Sequence, residues 1–171
     1  MRATSAFNRL LSLDGVNVRQ VDFGHDTVVV IVALRRRKLV CPGCSYSTSA
    51  RYDTRPAPSS WRHLRLGIWK LKVVAQLPRL RCPEHGWRVE AVPFARPGTR
   101  FTRDFEALVA WSATKMDKTV LCTLVGIHWD TVGRICDRVV AEVLDPGRLA
   151  GLLNIGVDEI IQKHHNYRFY A

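Results

Sequence analysis

Two pairs of potential metal ligands stand far apart in this chain of 171 residues. Cys41 and Cys44 are separated by two residues, and Cys82 and His85 repeat that spacing. In each pair a proline directly follows the first ligand. Two ligands on a tight turn can point at one ion, and four soft or borderline ligands suit tetrahedral Zn²⁺. The spacing predicts a structural zinc site that joins two distant turns. The alternative is that the cysteines are buried thiols and the histidine lies on the surface.

The net positive charge is concentrated in the segment that spans both halves of this site. From Arg35 to Arg81 there are twelve Lys or Arg residues and one acid, Asp53, a surplus of eleven that equals the net charge of +11. A compact basic module indicates a polyanionic partner, because each neutralised phosphate releases condensed counterions. We therefore expect nucleic acid as the partner. The basic residues predicted to contact it are Arg35, Arg36, Arg37, Lys38, Lys70, Lys72 and Arg79.

Periodicity in the N-terminal part predicts mostly β-structure. A short amphipathic helix is expected from Ser5 to Leu13, followed by two strands, Val16 to Phe23 and Thr27 to Leu34. Alternation from Leu64 to Ile68, continuing to Leu77, predicts another strand region with basic side chains on one face. Residues 1–98 are thus interpreted as a small zinc-bound β-ribbon module, which makes the fold class of the chain α+β.

The charge balance and the periodicity change after the Arg96-Pro97-Gly98 break. Residues 99–171 carry nine basic and nine acidic residues, and their apolar spacing is helical. Thr102 is expected to cap a first helix with Phe105, Leu108, Val109 and Met116 on one side. A second helix should run from Thr119 to Val125 and a third from near Trp129 to about Leu144. We therefore predict a three-helix module over residues 99–150.

The second and third of these helices have the pattern of a helix-turn-helix. This motif needs a small residue in its first helix, a residue that tolerates a left-handed turn, and apolar residues that lock the helices together. Cys122 and Gly126 meet the first two requirements, and the apolar set is Leu121, Val125, Ile127, Val132 and Ile135. The residues expected to face the major groove are His128, Asp130, Thr131 and Arg134. The alternative is a helical hairpin used only for packing.

The remaining segments bear on location. The longest apolar run, Val28 to Leu34, is too short to cross a bilayer, and the N-terminus lacks the apolar stretch of a signal peptide. We therefore expect a cytoplasmic protein without a membrane partner. The last apolar run, Leu152 to Ile160, has strand character and contains the acids Asp158 and Glu159.

Taken together, these motifs resemble the N-terminal part of a bacterial insertion-sequence transposase. The resemblance covers roughly residues 41–160 and concerns the group with a zinc finger, a helix-turn-helix and a DDE catalytic domain. It depends on CPGC at Cys41, RCPEHGWRVEAVPFARPGTRFTRDFEALVAW from Arg81, MDKT at Met116, WDTVGRICDRVV from Trp129 and IGVDEI at Ile155. It implies that the zinc module and the helix-turn-helix bind double-stranded DNA at the terminal inverted repeats, in the nucleoid of a bacterial cell. It also implies that Asp158 corresponds to the first DDE carboxylate, on the first strand of an RNase H-like domain.

The sequence departs from that family at the catalytic residues. Two-metal phosphoryl chemistry needs Mg²⁺ ions held by carboxylates from different strands. Glu159 would point to the opposite face from Asp158, and no acid follows. We therefore expect a DNA-binding fragment in which residues 151–171 are a truncated start of the catalytic domain and Asp158 is non-functional. Mg²⁺ would serve only intact family members. Two alternatives remain: a DDE nuclease or strand transferase completed by another chain, and a zinc-bearing RNA-binding structural protein. The oligomeric state is open, with a homodimer as one option.

Overall fold

The computed structural model describes residues 2–145, 147, 159–162 and 165–168. Within these ranges the fold is α+β, as predicted, and it divides into two units, residues 1–136 and 137–171. In chain order the elements that begin in the first unit are α1 (Ala3–Leu11), β1 (Val16–Phe23), β2 (Thr27–Leu34), β3 (Leu39–Val40), β4 (Ser47–Thr48), β5 (Asp53–Thr54), β6 (Ser59–Arg62), β7 (Lys70–Ala75), β8 (Pro78–Cys82), β9 (Gly86–Val89), α2 (Arg103–Ala113), α3 (Lys118–Val125) and α4 (Trp129–Val143).

A four-stranded sheet in the order β1-β2-β7-β6 forms the base of the first unit. The hairpin of β1 and β2 is confirmed, and α1 begins two residues earlier than predicted. In β2 and β7 alternate side chains are buried, since each strand presents one face to the core. The buried core of this sheet includes Val28, Val30, Leu71, Val73 and Trp61.

The strands of the predicted β-ribbon belong to a four-stranded sheet, in which β2 and β7 pair in parallel. Neighbouring parallel strands need a long connection, and here residues 35–69 supply it. That connection contains the first pair of potential metal ligands, Cys41 and Cys44. Two smaller sheets, β3-β4 and β5-β8-β9, surround the ligand pairs.

The predicted strand region from Leu64 to Leu77 is confirmed over Lys70–Ala75, which form β7 with Lys70 and Lys72 on its exposed face, but the strand expected at Leu64 to Ile68 is wrong. The strand of this region is β6, which ends at Arg62, and Leu66 forms only an isolated bridge with Trp69. Gly67 has φ of +60°, a left-handed conformation that reverses the chain, and Ile68 next to it is 83% exposed. The alternating pattern therefore describes a turn that leads into β7.

The three predicted helices are present as α2, α3 and α4. Thr102 caps α2 as predicted, since its side chain accepts a hydrogen bond from the backbone N–H of Phe105. Phe105 and Val109 are buried, but Leu108 is 43% exposed and Met116 lies beyond the helix end at Ala113. The apolar face of α2 is consequently narrower than the sequence indicates. Among the helices in the described ranges, none combines the length and apolar character needed to cross a bilayer.

The second unit contains the end of α4 and an antiparallel hairpin of β10 (Glu159–Gln162) and β11 (His165–Arg168). Asp158 and the run from Leu152 to Asp158 lie outside the described residues, so the RNase H-like strand stays a prediction. The expected boundary between residues 98 and 99 falls inside the first unit. It also stays a prediction.

Candidate metal centre and nucleic-acid interface

A short hairpin positions the first ligand pair. β3 and β4 pair antiparallel, and the backbone N–H of Cys41 donates a 3.0 Å hydrogen bond to the carbonyl of Tyr46. The backbone N–H of Gly43 points back at the Cys41 sulfur, 3.4 Å away. The loop from Cys41 to Cys44 is thus folded back on the Cys41 sulfur.

The second ligand pair occupies the turn between β8 and β9. Cys82 is the last residue of β8 and is opposite Gly86 in the antiparallel register, which places His85 in the tight connection. Gly86 has φ of +65°, so the turn uses the conformational freedom of glycine. Cys82 and the neighbouring Leu80 are almost fully buried. The β8-β9 hairpin therefore packs into the interior through the side chains of Leu80 and Cys82.

The four predicted ligands meet at one point. Their ligand atoms all lie within 4.8 Å of one another. The Cys44 and Cys82 sulfurs are 3.6 Å apart, and His85 Nδ1 lies 3.6 Å from the Cys82 sulfur and 3.7 Å from the Cys41 sulfur. A tetrahedral site with Zn–S near 2.3 Å and Zn–N near 2.0 Å has edges of about 3.5–3.8 Å. The prediction that these residues form one cluster is confirmed, and the three separations of 3.6–3.7 Å match the edges of such a tetrahedron.

Electrostatics in the cluster favour a cation. Burial acts to raise the pKa of the Cys82 thiol, but the backbone N–H of His85, its ring and the backbone N–H of Glu84 lower the pKa to about 6. For Cys44 the backbone of Tyr46 acts to lower the pKa, whereas burial and the neighbouring thiols raise it to about 11. Neighbouring thiolates repel each other, so Cys44 holds its proton firmly, and a metal ion that binds its sulfur would displace that proton.

Gly43 is a site residue that the ligand spacing did not single out. A β-carbon built on it would lie 2.9 Å from Nε2 of His85, closer than side chains pack. The imidazole therefore lies against the backbone of the first ligand loop. The small residue between the two cysteines is the only signal of this contact in the sequence.

Three of the basic residues predicted to contact nucleic acid are paired within the protein. Arg36 forms an ion pair of 3.0 Å with the buried Glu90 and also bonds to the carbonyl of Ala91. Lys70 pairs with Asp26 at 2.9 Å, with both side chains at least half exposed. Arg79 forms a two-point pair with Asp53, and this pairing lowers the pKa of the carboxyl. These cations already have acidic partners, and their predicted contact with nucleic acid is untested.

The other predicted basic contacts are exposed. Arg35 lies on the surface and donates a 2.8 Å hydrogen bond to Asn17. Arg37 and Lys38 are exposed in the connection between β2 and β3. Lys72 projects from β7 on the face opposite the core, next to Val29 of β2 in the parallel register. The cations available to an outside anion in this set are therefore Arg37, Lys38 and Lys72.

The turn between α3 and α4 has the geometry that a helix-turn-helix requires. Gly126 ends α3 in a left-handed conformation with φ of +64°, and its N–H and that of Ile127 both donate to the carbonyl of Cys122. Asp117 caps the other end of α3, and the bonds from the backbone N–H groups of Thr119 and Val120 lower the pKa of its carboxyl. The buried apolar residues of the pair are Leu121, Val125, Val132 and Ile135, all within the predicted set.

The start of α4 is open to solvent. His128, Asp130 and Arg134 are exposed, and Thr131 is half-buried. Nδ1 of His128 lies 3.4 Å from a carboxylate oxygen of Asp130. Trp129 is 49% exposed, and the ammonium of Lys118 lies 4.1 Å from the centre of its ring. The predicted residues therefore lie on an exposed helix start, and Trp129 is an exposed aromatic among them that the sequence analysis did not single out.

Arg62 joins the sheet to this turn. Its guanidinium donates to the carbonyls of Val125 and Gly126 and lies 4.9 Å from the centre of the Phe105 ring. Next to it on the chain, Nδ1 of the buried His63 lies 2.8 Å from the hydroxyl of Thr102, the cap of α2. The start of α2 and the end of α3 are consequently fixed to the sheet by polar contacts that cross long sequence distances.

Comparison with known proteins gives this arrangement a family context. Residues 90–140 match the helix-turn-helix domain of transposase family ISL3. The chain is 38% identical, over an alignment of 179 positions, to the transposase for insertion sequence element IS1557 of Mycobacterium tuberculosis, in strains CDC 1551 / Oshkosh and ATCC 25618 / H37Rv. The alignment covers 98% of this chain and 40% of each relative.

No solved structure matches the chain significantly. The chain spans about 40% of the length of the curated relatives that it matches. The match at residues 90–140 includes α2, α3 and most of α4, and therefore the turn at Gly126. The predicted resemblance to insertion-sequence transposases is therefore confirmed, and its helix-turn-helix part is the segment that is similar to the ISL3 transposase domain.

Proposed function

We propose that this chain binds double-stranded DNA at the terminal inverted repeats of an insertion sequence, with the start of α4 in the major groove. The observation that carries the proposal is the exposed start of α4, which directly follows the glycine turn at Gly126, within a segment that matches a transposase helix-turn-helix. In such motifs the N-terminal residues of the second helix contact base edges. Arg134 is the principal base-reading candidate because its fork can bind guanine at two points.

We further propose that the metal ion is Zn²⁺ and that its role is structural. Three sulfurs and one imidazole nitrogen are a ligand set that suits zinc, and the four protein ligands would fill a tetrahedral site without an open position. Zinc at this point ties the β3-β4 hairpin to the β8-β9 hairpin. Arg37 and Lys38 lie between β2 and β3, shortly before Cys41. Zinc bound at Cys41 would therefore fix the end of this basic segment.

The two parts of the surface have different roles in this proposal. Arg37, Lys38 and Lys72 would contact phosphates and so contribute affinity on every DNA sequence. Residues 99–171 have no net charge, so α4 contributes discrimination more than affinity. The domain limits at 98/99 and 150/151 belong to this proposal, as does a homodimer that would hold two ends of one element. Light scattering of the protein with and without DNA tests the dimer.

Fluorescence anisotropy on two labelled duplexes, an inverted-repeat sequence and a scrambled one, tests the division of labour. We expect Lys72→Ala to weaken binding to both duplexes equally and to lower the salt slope by about one. Arg134→Ala should reduce the ratio of the two affinities by about tenfold. Equal loss on both duplexes for both variants would contradict a reading role for α4. A duplex RNA that binds as tightly as the DNA would favour the RNA-binding alternative.

Native mass spectrometry of the purified chain tests the metal. We expect one Zn²⁺ for each polypeptide, and Cys82→Ser should abolish binding and unfold the surrounding hairpins because binding and folding are coupled. Cys122→Ser is the matched control, since Cys122 lies in α3 outside the cluster. A metal-free protein that keeps its folded spectrum would overturn the zinc proposal.

A further inference from the structure

A cleft lined by arginines lies beside β6, where neither the ligand spacing nor the helix-turn-helix pattern predicts a site. One cavity of about 470 Å³ and a second of about 400 Å³ share five lining residues, Arg55, Ser59, Trp61, Gly98 and Thr99. We call the two together the arginine cleft. Its size falls within the range of about 300–1,000 Å³ that is typical of ligand pockets.

The charge around the arginine cleft is unbalanced. Five arginines line it: Arg55, Arg88, Arg96, Arg100 and Arg103. The only carboxylate among the lining residues in the described part of the chain is Glu90, which is paired with Arg36. An excess of cations around one concave surface attracts anions and concentrates them there.

The five arginines differ in what they contact. Arg96 is paired with the buried Glu106 at 2.9 Å, and Arg103 donates to the carbonyl of Pro93, so both have structural partners. Arg55 and Arg100 are exposed and make no side-chain hydrogen bond or ion pair within the described residues. Arg88 is exposed, and among the described residues its guanidinium donates a hydrogen bond only to the backbone carbonyl of the preceding residue. Three guanidinium groups are therefore available to a ligand.

The floor and rim of the arginine cleft suit a compact, oxygen-rich anion. Trp61 lines both cavities and is held by an edge-to-face contact with Phe94, at 5.0 Å between ring centres. Ser59 and Ser60 add hydroxyl donors at the rim. Guanidinium forks and hydroxyls are the donors that bind phosphate oxygens.

The position of the arginine cleft connects it with the helix-turn-helix. The backbone N–H of Arg62 donates a 2.8 Å hydrogen bond to the carbonyl of Arg100, which lines the cleft. The side chain of the same Arg62 bonds to the carbonyl of Gly126 in the turn before α4. An anion in the cleft would thus be held by the same element that holds the helix-turn-helix.

We propose that the arginine cleft binds a backbone phosphate of the DNA, through Arg55, Arg88 and Arg100. This inference rests on the proposed function and adds a contact outside both α4 and the predicted basic residues. The bound phosphodiester fixes how the duplex lies across the first unit. It carries no sequence information, because a phosphate is the same at every base pair.

Anisotropy titrations of the full chain on the inverted-repeat and scrambled duplexes, at several salt concentrations, test this proposal. We expect Arg55→Ala and Arg100→Ala each to weaken binding by about threefold to tenfold on both duplexes, and to lower the salt slope by about one. Arg19→Ala is the matched control: it removes an exposed arginine on β1 that does not line the cleft. Thermal unfolding of each variant verifies that the fold is kept, and Arg55→Lys, which keeps the charge but loses the fork, should lose less affinity than Arg55→Ala.

The outcomes separate this inference from the proposed function. Cleft variants that bind like Arg19→Ala would overturn the cleft, and an effect of Arg134→Ala on discrimination would leave the proposed function in place. A loss confined to the inverted-repeat duplex would also overturn it, because the cleft would then read sequence. If the unmodified chain binds neither duplex, both proposals fail.

Discussion

The guanidinium of Arg62 on β6 donates a 2.9 Å hydrogen bond to the carbonyl oxygen of Gly126, in the turn between α3 and α4. A second N–H of the same group bonds to the carbonyl of Val125. Both carbonyls belong to the C-terminal end of α3, where the helix dipole favours a cation. The same guanidinium lies over the ring of Phe105 on α2. One side chain of the sheet therefore stabilises the helix end that precedes α4 and packs against a neighbouring helix.

Replacing Arg62 should uncouple the helix-turn-helix from the sheet. We expect Arg62→Ala to lower the free energy of unfolding by about 1–3 kcal/mol, because two carbonyls lose a charged donor. Arg62→Lys should recover only part of this, since one ammonium cannot match the geometry of the fork. Thermal and urea unfolding of the metal-loaded protein measure both values.

Arg65→Ala is the control for this experiment. Arg65 is exposed, and its charge, together with burial as the larger cause, lowers the pKa of Arg62. Its removal should leave stability unchanged or slightly improved. Equal destabilisation by Arg62→Ala and Arg65→Ala would mean that positive charge near the end of α3, and not the hydrogen bonds of Arg62, matters at this position.

We expect Arg36 to contribute mainly to the stability of the fold, and less to DNA binding. Its partner Glu90 is only 5% exposed, and burial raises the pKa of that carboxyl although the pairing with Arg36 lowers it. We expect Arg36→Ala to destabilise the fold by about 1–3 kcal/mol, because a buried carboxylate loses its donor. The double variant Arg36→Ala/Glu90→Gln should regain part of that loss in urea unfolding. If Arg36→Ala instead leaves stability intact and weakens DNA binding, Arg36 is primarily a phosphate contact.

Patterns that lie within a few residues were predictable from the sequence. The spacing of Cys41 with Cys44 and of Cys82 with His85 fixed the ligand set, and Gly126 marked the turn before α4. In each case the physical constraint is local: two ligands on one turn, or one residue that accepts positive φ.

Relationships across long sequence distances were not predictable in this way. The parallel pairing of β2 with β7 depends on the contact between their buried faces. The sequence of either strand alone does not indicate which strand it pairs with. Arg36 and Glu90 are paired although they are 54 residues apart in the sequence. The count of charges along the chain therefore treated Arg36 as available to nucleic acid, whereas in the fold it is bound to Glu90. Alternation at Leu64 to Ile68 was misleading because Gly67 reverses the chain there.

His63 should make the fold sensitive to acid. Burial lowers the pKa of His63 below its ordinary 6.5, although the nearby Asp104 acts to raise it. As the pH falls through 6.5, His63 takes up a proton in the unfolded chain but stays neutral in the folded chain. The folded state therefore loses stability relative to the unfolded state. Each pH unit over which only the unfolded state holds this proton costs about 1.4 kcal/mol. The loss stops below the folded pKa.

His63→Gln removes this titration while keeping a group that can bond to Thr102. We expect urea unfolding of the wild type to show a larger loss of stability between pH 7.5 and 5.5 than the variant shows. Acid also weakens metal binding at the cluster, but that effect is common to both proteins and cancels in the difference. Parallel pH profiles would exclude His63 as the source.

The packing of Gly43 against His85 should control metal affinity without touching a ligand. In Gly43→Ala the new β-carbon would lie 2.9 Å from Nε2 of His85, so the imidazole or the first ligand loop must shift. Neighbours that orient a ligand typically change metal affinity by about 10–100-fold, and we expect a loss of that size in competition with a chromogenic chelator. Gly133→Ala on α4 is the control, since its β-carbon would approach only the end of Lys118, at 3.8 Å. Unchanged affinity in Gly43→Ala would mean that the ring of His85 can rotate away without losing the ion. The close approach at Gly43 would then have no influence on how the four ligands bind the metal.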